Sequence, residues 1–296
     1  MNRHCAILGT GAWGTAIATT LSGSGRSVTR WNRSTDDHDL RTAEILVIAV
    51  PAQQTRTVLT RVRDHIDKDA TLILTAKGLE TQTLLRQSQI AADVLPDREV
   101  AILSGPGFAA DLIAGLPTAL TLATRSPNAD ALQAFFATRT LRPYLTDDLN
   151  GTELGGALKN VIAIGCGLVI GAGLGESARA AVMTRGFTEI IRLATALGAT
   201  EATLSGLSGL GDLMLTSTSL QSRNYRYGVA LGRQDKDALT GTIEGHATAD
   251  AALSLALKTG QDTPIIAAVA QLTRNEIGPD EAITKLFNRP LKRERS

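Results

Sequence analysis

Up to residue 146 this sequence alternates short aliphatic runs with longer helical patterns, and after about Asp147 the aliphatic runs stop. CAILG, SVTRW, ILVIAV, TLILTAKG, VAILSGP and PTALTLAT read as strands separated by helix or loop. That rhythm demands a mostly parallel sheet covered by helices on its faces. ELGGALKNVIAIGCG, ARAAVMTRGFTEIIRLATALG, ATADAALSLALKTG and PIIAAVAQLTRNE instead show helical spacing throughout. The expected architecture is α/β followed by all-α, with one domain over 1–146 and a helical one over 147–296. A chain of 296 residues with 43% hydrophobic content is long enough to bury two cores.

Thirty basic residues against 29 acidic ones leave a net charge of +1, so no global field argues for nucleic acid or an anionic membrane. An anion site must be local. Cys5 and Cys166 lie in apolar runs, and neither they nor His4, His38, His65 and His246 have metal-ligand spacing. A reducing cytoplasm and no metal are the expectation. The N-terminus enters a strand pattern without a cationic lead, and the uncharged stretch after Lys159 reads as glycine-rich and too short to span a bilayer.

The first chemical motif is ILGTGAWGTAIATTL, which sets Gly9, Gly11 and Gly14 in the spacing G-x-G-x-x-G between a strand and an alanine-rich helix. This is the context of a dinucleotide fingerprint, and it makes the first domain a doubly wound sheet of Rossmann type. Gly9 allows the turn, Gly11 lets backbone amides approach a pyrophosphate, and Gly14 packs helix on strand. Ala12 and Trp13 open the helix whose N-terminus attracts that anion. After the second strand a strict NAD binder offers a carboxylate to the ribose 2′-hydroxyl, whereas this chain reads Trp31, Asn32, Arg33, Ser34. Arg33 suits a 2′-phosphate and favours NADPH. Asp36 and Asp37 follow closely and leave NAD open.

Lys159 is the only charged residue between Leu154 and Leu174. Either its stem packs while its amine reaches water, or a desolvated ammonium does acid/base chemistry. Lys77 follows the strand TLILTAKG, outside the carboxyl ends of strands, where open α/β sheets bind ligands. A desolvated ammonium facing a ligand pocket is suited to proton exchange, which makes Lys159 a candidate acid/base group. Two ammonium groups facing one pocket depress each other's proton affinity, and Asp212 of GLGDL is the candidate carboxylate that opposes this. The competing reading of Asp212 is a helix N-cap. Thr216, one turn later, presents its hydroxyl on the same face. QSRNYRYG offers Ser222, Arg223 and Asn224, with Arg226 behind them, as cationic and amide donors for an anion, or as a basic surface turn.

GTGAWGT, AKGLE, SGPGFA, LGGALKNVIAIGCG, ARAAVMTRG, GLGDLMLTSTS, SRNYRYG and IEGHAT occur in this order across most of the chain, which resembles the bacterial NAD(P)-dependent sn-glycerol-3-phosphate dehydrogenases. The resemblance implies a reversible hydride transfer between a nicotinamide and dihydroxyacetone phosphate, giving sn-glycerol 3-phosphate for phospholipid synthesis. It makes Lys159 the catalytic lysine and gives Lys77 contacts with both cofactor and substrate. It also implies that Asn160, Asp212, Thr216, Ser222, Arg223 and Asn224 lie against substrate, with Arg223 near the cofactor as well. Gly105 becomes a backbone approach to substrate and Ala109 one to cofactor, while Glu244 contacts the cofactor. The partner implied is a small phosphorylated triose, and a homodimer is left open.

Three departures from the family pattern stand out. Between Arg33 and Ile45 only STDDHDLRTAE precedes the next strand, where relatives carry a helix and a further strand, so the sheet is expected to be shortened. Gly107 replaces a Ser or Thr, and His246 replaces an arginine. Two rival readings remain: a β-hydroxyacid dehydrogenase-like reductase of a small keto acid, with Arg223 on a carboxylate, and a catalytically inactive nicotinamide-nucleotide sensor.

Overall fold

The computed structural model describes residues 3–32, 34, 37–235 and 243–287. Seven strands, β1 (His4–Leu8), β2 (Ser27–Trp31), β3 (Ile45–Ile48), β4 (Thr71–Leu74), β5 (Val100–Ser104), β6 (Thr118–Thr124) and β7 (Leu141–Thr146), form one sheet in the order β2-β1-β3-β4-β5-β6-β7. All neighbours are parallel except β5 and β6. Helices α1 (Ala12–Gly23), α2 (Thr55–Val62), α3 (Gln87–Val94), α4 (Ala109–Ile113) and α5 (Ala129–Phe136) are interleaved with the strands.

Alternation along the strands builds two cores. Cys5 and Ile7 of β1 face Ala16, Ile17 and Leu21 of α1 and Phe136 of α5. Ala6 and Leu8 face the opposite layer with Val58 and Leu59 of α2 and Ala91 of α3. The interior strand β3 reads ILVI because both its faces are covered. β7 has no aliphatic run to announce it: LRPYLT is half-exposed and carries Pro143, which an edge strand tolerates.

The expected shortening lies at the other edge. β2 ends the sheet, and the chain returns to β3 through a 3-10 turn, Asp37–Thr42, with no strand outside β2 among the described residues.

The second half is helical: α6 (Leu149–Gly171), α7 (Gly175–Ala196), α8 (Glu201–Leu204), α9 (Asp212–Thr218), α10 (Arg223–Gly232), α11 (Glu244–Thr259), α12 (Pro264–Thr273) and α13 (Pro279–Phe287). Every residue of α6 from Gly151 to Val169 is buried, so the core of this half is wrapped around it. At 23 residues α6 is by length and composition long and apolar enough to cross a membrane, because the helix begins at Leu149, well ahead of the uncharged stretch that follows Lys159. Yet 89% of its most apolar window is buried inside the protein, as in the core helix of a folded domain.

α10 lies against α6 along a glycine seam. A Cβ on Gly167 or Gly171 would stand 2.2 Å from the carbonyl oxygens of Tyr225 or Val229, and one on Gly228 or Gly232 would stand 2.1 or 2.2 Å from those of Ile164 or Leu168. Small residues four apart on both helices let the backbones touch. A buried carboxylate ties α6 to the sheet half: Glu153 accepts from Arg86 at 2.8 Å and from the amide and hydroxyl of Ser88 at 2.7 and 2.6 Å.

Candidate active site

A cleft of about 610 Å3 opens over the carboxyl ends of the central strands. Gly11, Ala12 and Trp13 at the start of α1, Thr75 to Lys77 after β4, and Gly107 to Ala109 before and in α4 line one wall. Lys159 and Asn160 of α6, Asp212 and Thr216 of α9, Ser222 to Asn224 and Arg226 around the start of α10, and Glu244 at the start of α11 line the other. A second cavity of about 550 Å3 gathers mainly surface charges such as Lys68 and Asp69, which are 85% and 81% exposed. Exposed charges of that kind are solvated and perturb no chemistry, whereas the first cleft holds a buried cation.

That cation is Lys159, whose side chain is 7% exposed. With α6 buried all round there is no polar edge for the amine to reach, which removes the snorkelling alternative. Its ammonium donates to Asp212 Oδ1 at 3.0 Å and to Thr216 Oγ1 at 2.5 Å. Thr216 lies one turn after Asp212 and its hydroxyl is 3.3 Å from the same carboxylate oxygen. Lys77 donates to Asp212 Oδ2 at 2.7 Å and to the carbonyl of Gly105 at 2.9 Å, with its Nζ 5.9 Å from the centre of the Trp13 ring. A π-helical turn, Leu207–Gly211, delivers Asp212 as the first residue of α9. Both carboxylate oxygens are spent on lysines, so Asp212 is an ion-pair centre and not a helix cap.

Burial pushes the Lys159 ammonium from its ordinary 10.5 down to about 8; Asp212 opposes that fall and the Lys77 charge reinforces it. Desolvation also raises the carboxyl of half-buried Glu244, against the pull of Arg223 and both lysines.

Behind the lysines runs a chain of amides. Asn160 Nδ2 donates to the carbonyl of Lys77 at 3.1 Å, Asn224 Nδ2 donates to Asn160 Oδ1 at 2.9 Å, and the Gly245 amide donates to Asn224 Oδ1 at 2.9 Å. These bonds join the end of β4, α6, α10 and α11 around one point. A Cβ on Gly245 would stand 2.8 Å from Asn160 O and Asn224 Oδ1, so the junction admits only glycine there. Ser222 caps α10 by accepting from Tyr225 N at 3.2 Å, and Arg223 is exposed on the cleft wall.

At the glycine turn the three positions divide their work. Gly9 has φ +120°, and its Cβ would stand 2.3 Å from Ala49 O; a Cβ on Gly14 would stand 2.2 Å from Gly9 O. Both lie behind the cleft wall and shape the turn. Gly11 alone faces open space, as the N-cap of α1 without a side-chain cap, so the first-turn amides have no side-chain acceptor. This surface fits a dinucleotide pyrophosphate. Arg33 lies outside the described residues, and His246 is exposed and away from the cleft lining. Gly107 lines the cleft beside Trp13, whose ring would be 3.5 Å from a Cβ there.

A parallel nucleotide-binding sheet whose cleft is closed by a helical half is the plan of the two-domain dehydrogenases. The model of the NAD-dependent glycerol-3-phosphate dehydrogenase C-terminus matches residues 148–284, and that of the N-terminus matches 4–40 and 36–130. The chain belongs to the NAD-dependent glycerol-3-phosphate dehydrogenase family. The two N-terminal pieces meet where β2 returns to β3, at the shortened segment. The chain is 48% identical to the glycerol-3-phosphate dehydrogenase [NAD(P)+] of Paracoccus denitrificans, covering 98% of this chain and 99% of that one. That alignment runs over 313 positions against a chain of 296 residues, so the relative carries residues absent here. The Cereibacter sphaeroides protein of the same name is also 48% identical, covering 97% and 99%. The crystal structure of glycerol-3-phosphate dehydrogenase from Coxiella burnetii superposes with a TM-score of 0.93 at 32% identity, over 98% of this chain and 100% of that one. D-mandelate dehydrogenase with NADH shares the fold alone, at TM-score 0.66 and 15% identity over 94% and 99%.

Proposed function

We propose that this chain reversibly reduces dihydroxyacetone phosphate to sn-glycerol 3-phosphate, with Lys159 as the group that exchanges the oxygen's proton. The observation that carries this reading is the buried Lys159 ammonium, brought near neutral pH and held by Asp212 and Thr216 in a cleft beside a nucleotide-binding turn. A nicotinamide dinucleotide, NADPH in preference with NAD usable, supplies the hydride. Gly11, Ala12 and Trp13 hold its phosphates, Gly9 and Gly14 shape that turn, and Ala109 and Glu244 flank the bound dinucleotide.

Lys159 donates its proton to the ketone oxygen in reduction and withdraws it in oxidation. Asp212 holds the amine in place and opposes its loss of charge. Lys77, anchored on Gly105 and Asp212, adds a second positive charge where oxyanion character develops. Arg223 and the remaining amide hydrogen of Asn224 bind the phosphate, with the Ser222 cap fixing the start of α10. Asn160 orients this wall, since its oxygen accepts from Asn224 and its amide donates to Lys77. A division into domains at 146/147 belongs to the same reading; the last strand ends at Thr146 and α6 begins at Leu149. So does a cytoplasmic setting for phospholipid synthesis, supported by two buried cysteines that form no disulfide.

The test is oxidation of NADPH and of NADH by the purified protein with dihydroxyacetone phosphate, beside small keto acids. Turnover specific to the phosphorylated triose is expected; faster turnover of a keto acid overturns the reading.

A further inference from the structure

The adenosine side of the nucleotide site carries a cation that the glycine motif does not announce. β2 is the edge strand, and side chains alternate along it. Trp31 is buried on one face with Arg61 stacked 5.1 Å from its ring centre. Arg30 therefore lies on the other face, which looks towards α1. There the exposed Arg30 guanidinium reaches across the gap and donates to Thr15 Oγ1 of α1 at 2.7 Å. The Thr15 hydroxyl is itself 3.4 Å from the carbonyl of Thr10, inside the glycine turn. The charge thus sits in the crook between the end of β2 and the turn that carries Gly11.

Two further facts give this position a ligand chemistry. Among the described residues Arg30 bonds a neutral hydroxyl and no carboxylate, which leaves most of its five donors available to a ligand. Asn32, where a carboxylate would claim the ribose hydroxyls and repel a phosphate, is an amide whose oxygen closes a turn on the Ser34 amide and hydroxyl at 2.8 and 2.6 Å. The end of β2 is where doubly wound folds read the adenosine ribose.

We propose that Arg30 is the specificity-determining residue for the cofactor, gripping the 2′-phosphate of NADP(H) across the β2–α1 gap. The inference rests on the nicotinamide-dependent reading above and refines its cofactor preference. It adds to Arg33, which lies outside the described residues, a second candidate anchored on the strand itself.

The experiment is titration calorimetry of 2′,5′-ADP and of 5′-AMP against the full chain, for wild type, Arg30→Ala, Arg30→Lys and Arg33→Ala, with thermal melts to confirm folding. Arg30 is exposed on an edge strand, so its substitution leaves the core untouched. Wild type is expected to bind 2′,5′-ADP more tightly than 5′-AMP, and Arg30→Ala to weaken 2′,5′-ADP by roughly 10- to 100-fold while 5′-AMP changes by about twofold or less. Arg30→Lys should recover part of the loss. The proposal is overturned if Arg30→Ala affects both nucleotides alike, if it affects neither, or if Arg33→Ala alone carries the discrimination. Neither probe undergoes turnover, so a protein that discriminates them through Arg30 but leaves dihydroxyacetone phosphate untouched refutes the proposed reaction and not this assignment.

Discussion

Lys77 and Lys159 share one carboxylate, each ammonium on a different oxygen of Asp212, at 2.7 and 3.0 Å. Two cations and one anion leave a local surplus of one positive charge in a partly desolvated cleft. A surplus of that kind suits a phosphorylated ligand whose ketone gains negative charge on the way to product. It also makes Lys159 answerable to both neighbours.

Lys159→Ala should lower kcat for dihydroxyacetone phosphate reduction by about a thousandfold, the range of a lost general acid. Nucleotide binding, followed by calorimetry, should be unchanged because α1 and its turn are untouched. Near-normal turnover in this variant would sink the assignment.

The pH dependence has a definite sign. With Lys159 as the proposed proton donor, reduction needs its ammonium form, so kcat/KM should fall as pH rises through about 8; oxidation needs the amine and should rise over the same range. Lys77 depresses the Lys159 proton affinity and Asp212 raises it. Lys77→Ala should therefore move the limb to higher pH and Asp212→Asn to lower pH, whatever each does to the maximal rate. Limbs that move together, or stay put, would place the titrating group elsewhere.

Arg223→Ala should raise KM for dihydroxyacetone phosphate by roughly 10- to 100-fold. Unphosphorylated dihydroxyacetone, which offers Arg223 no phosphate, should respond little. A comparable loss for both compounds would mean that Arg223 positions the cleft and does not bind phosphate.

The glycine seam can be tested by stability alone. Gly228→Ala places a methyl 2.1 Å from Ile164 O and should cost about 2 kcal/mol or more, read as a lowered melting temperature. Gly23→Ala, where nothing lies within 4 Å of the new carbon, should instead raise stability by about 0.5 to 1 kcal/mol. Equal responses would mean that backbone entropy, and not contact, decides both.

The sequence made most of this legible where a physical pattern repeats locally. Five strands declared themselves through aliphatic runs, SVTRW through its place after the glycine motif and its helix, the glycine turn through its spacing, and Thr216 through its one-turn distance from Asp212. β7 escaped because an edge strand with Pro143 and alternating exposure has no apolar run to detect. The shortened segment was visible as missing length. Its outcome, β2 as a bare edge, needed the strand order. Nothing local links Asn160 to Asn224 or Glu153 to Arg86, because 64 and 67 residues separate the partners and no periodicity spans such distances. The seam left a fainter trace: glycines four apart at 167 and 171 and again at 228 and 232, a pattern that names close packing but not its partner.

Because α6 and α10 touch backbone to backbone, the proposed proton donor on one and the proposed phosphate grip on the other cannot drift apart. They behave as the jaws of a caliper set to a fixed gap. A molecule is then measured by the number of atoms between its carbonyl and its phosphate, and a chain one carbon longer must buckle to engage both jaws. On that view, length selection in this protein is a property of four missing side chains remote from the chemistry.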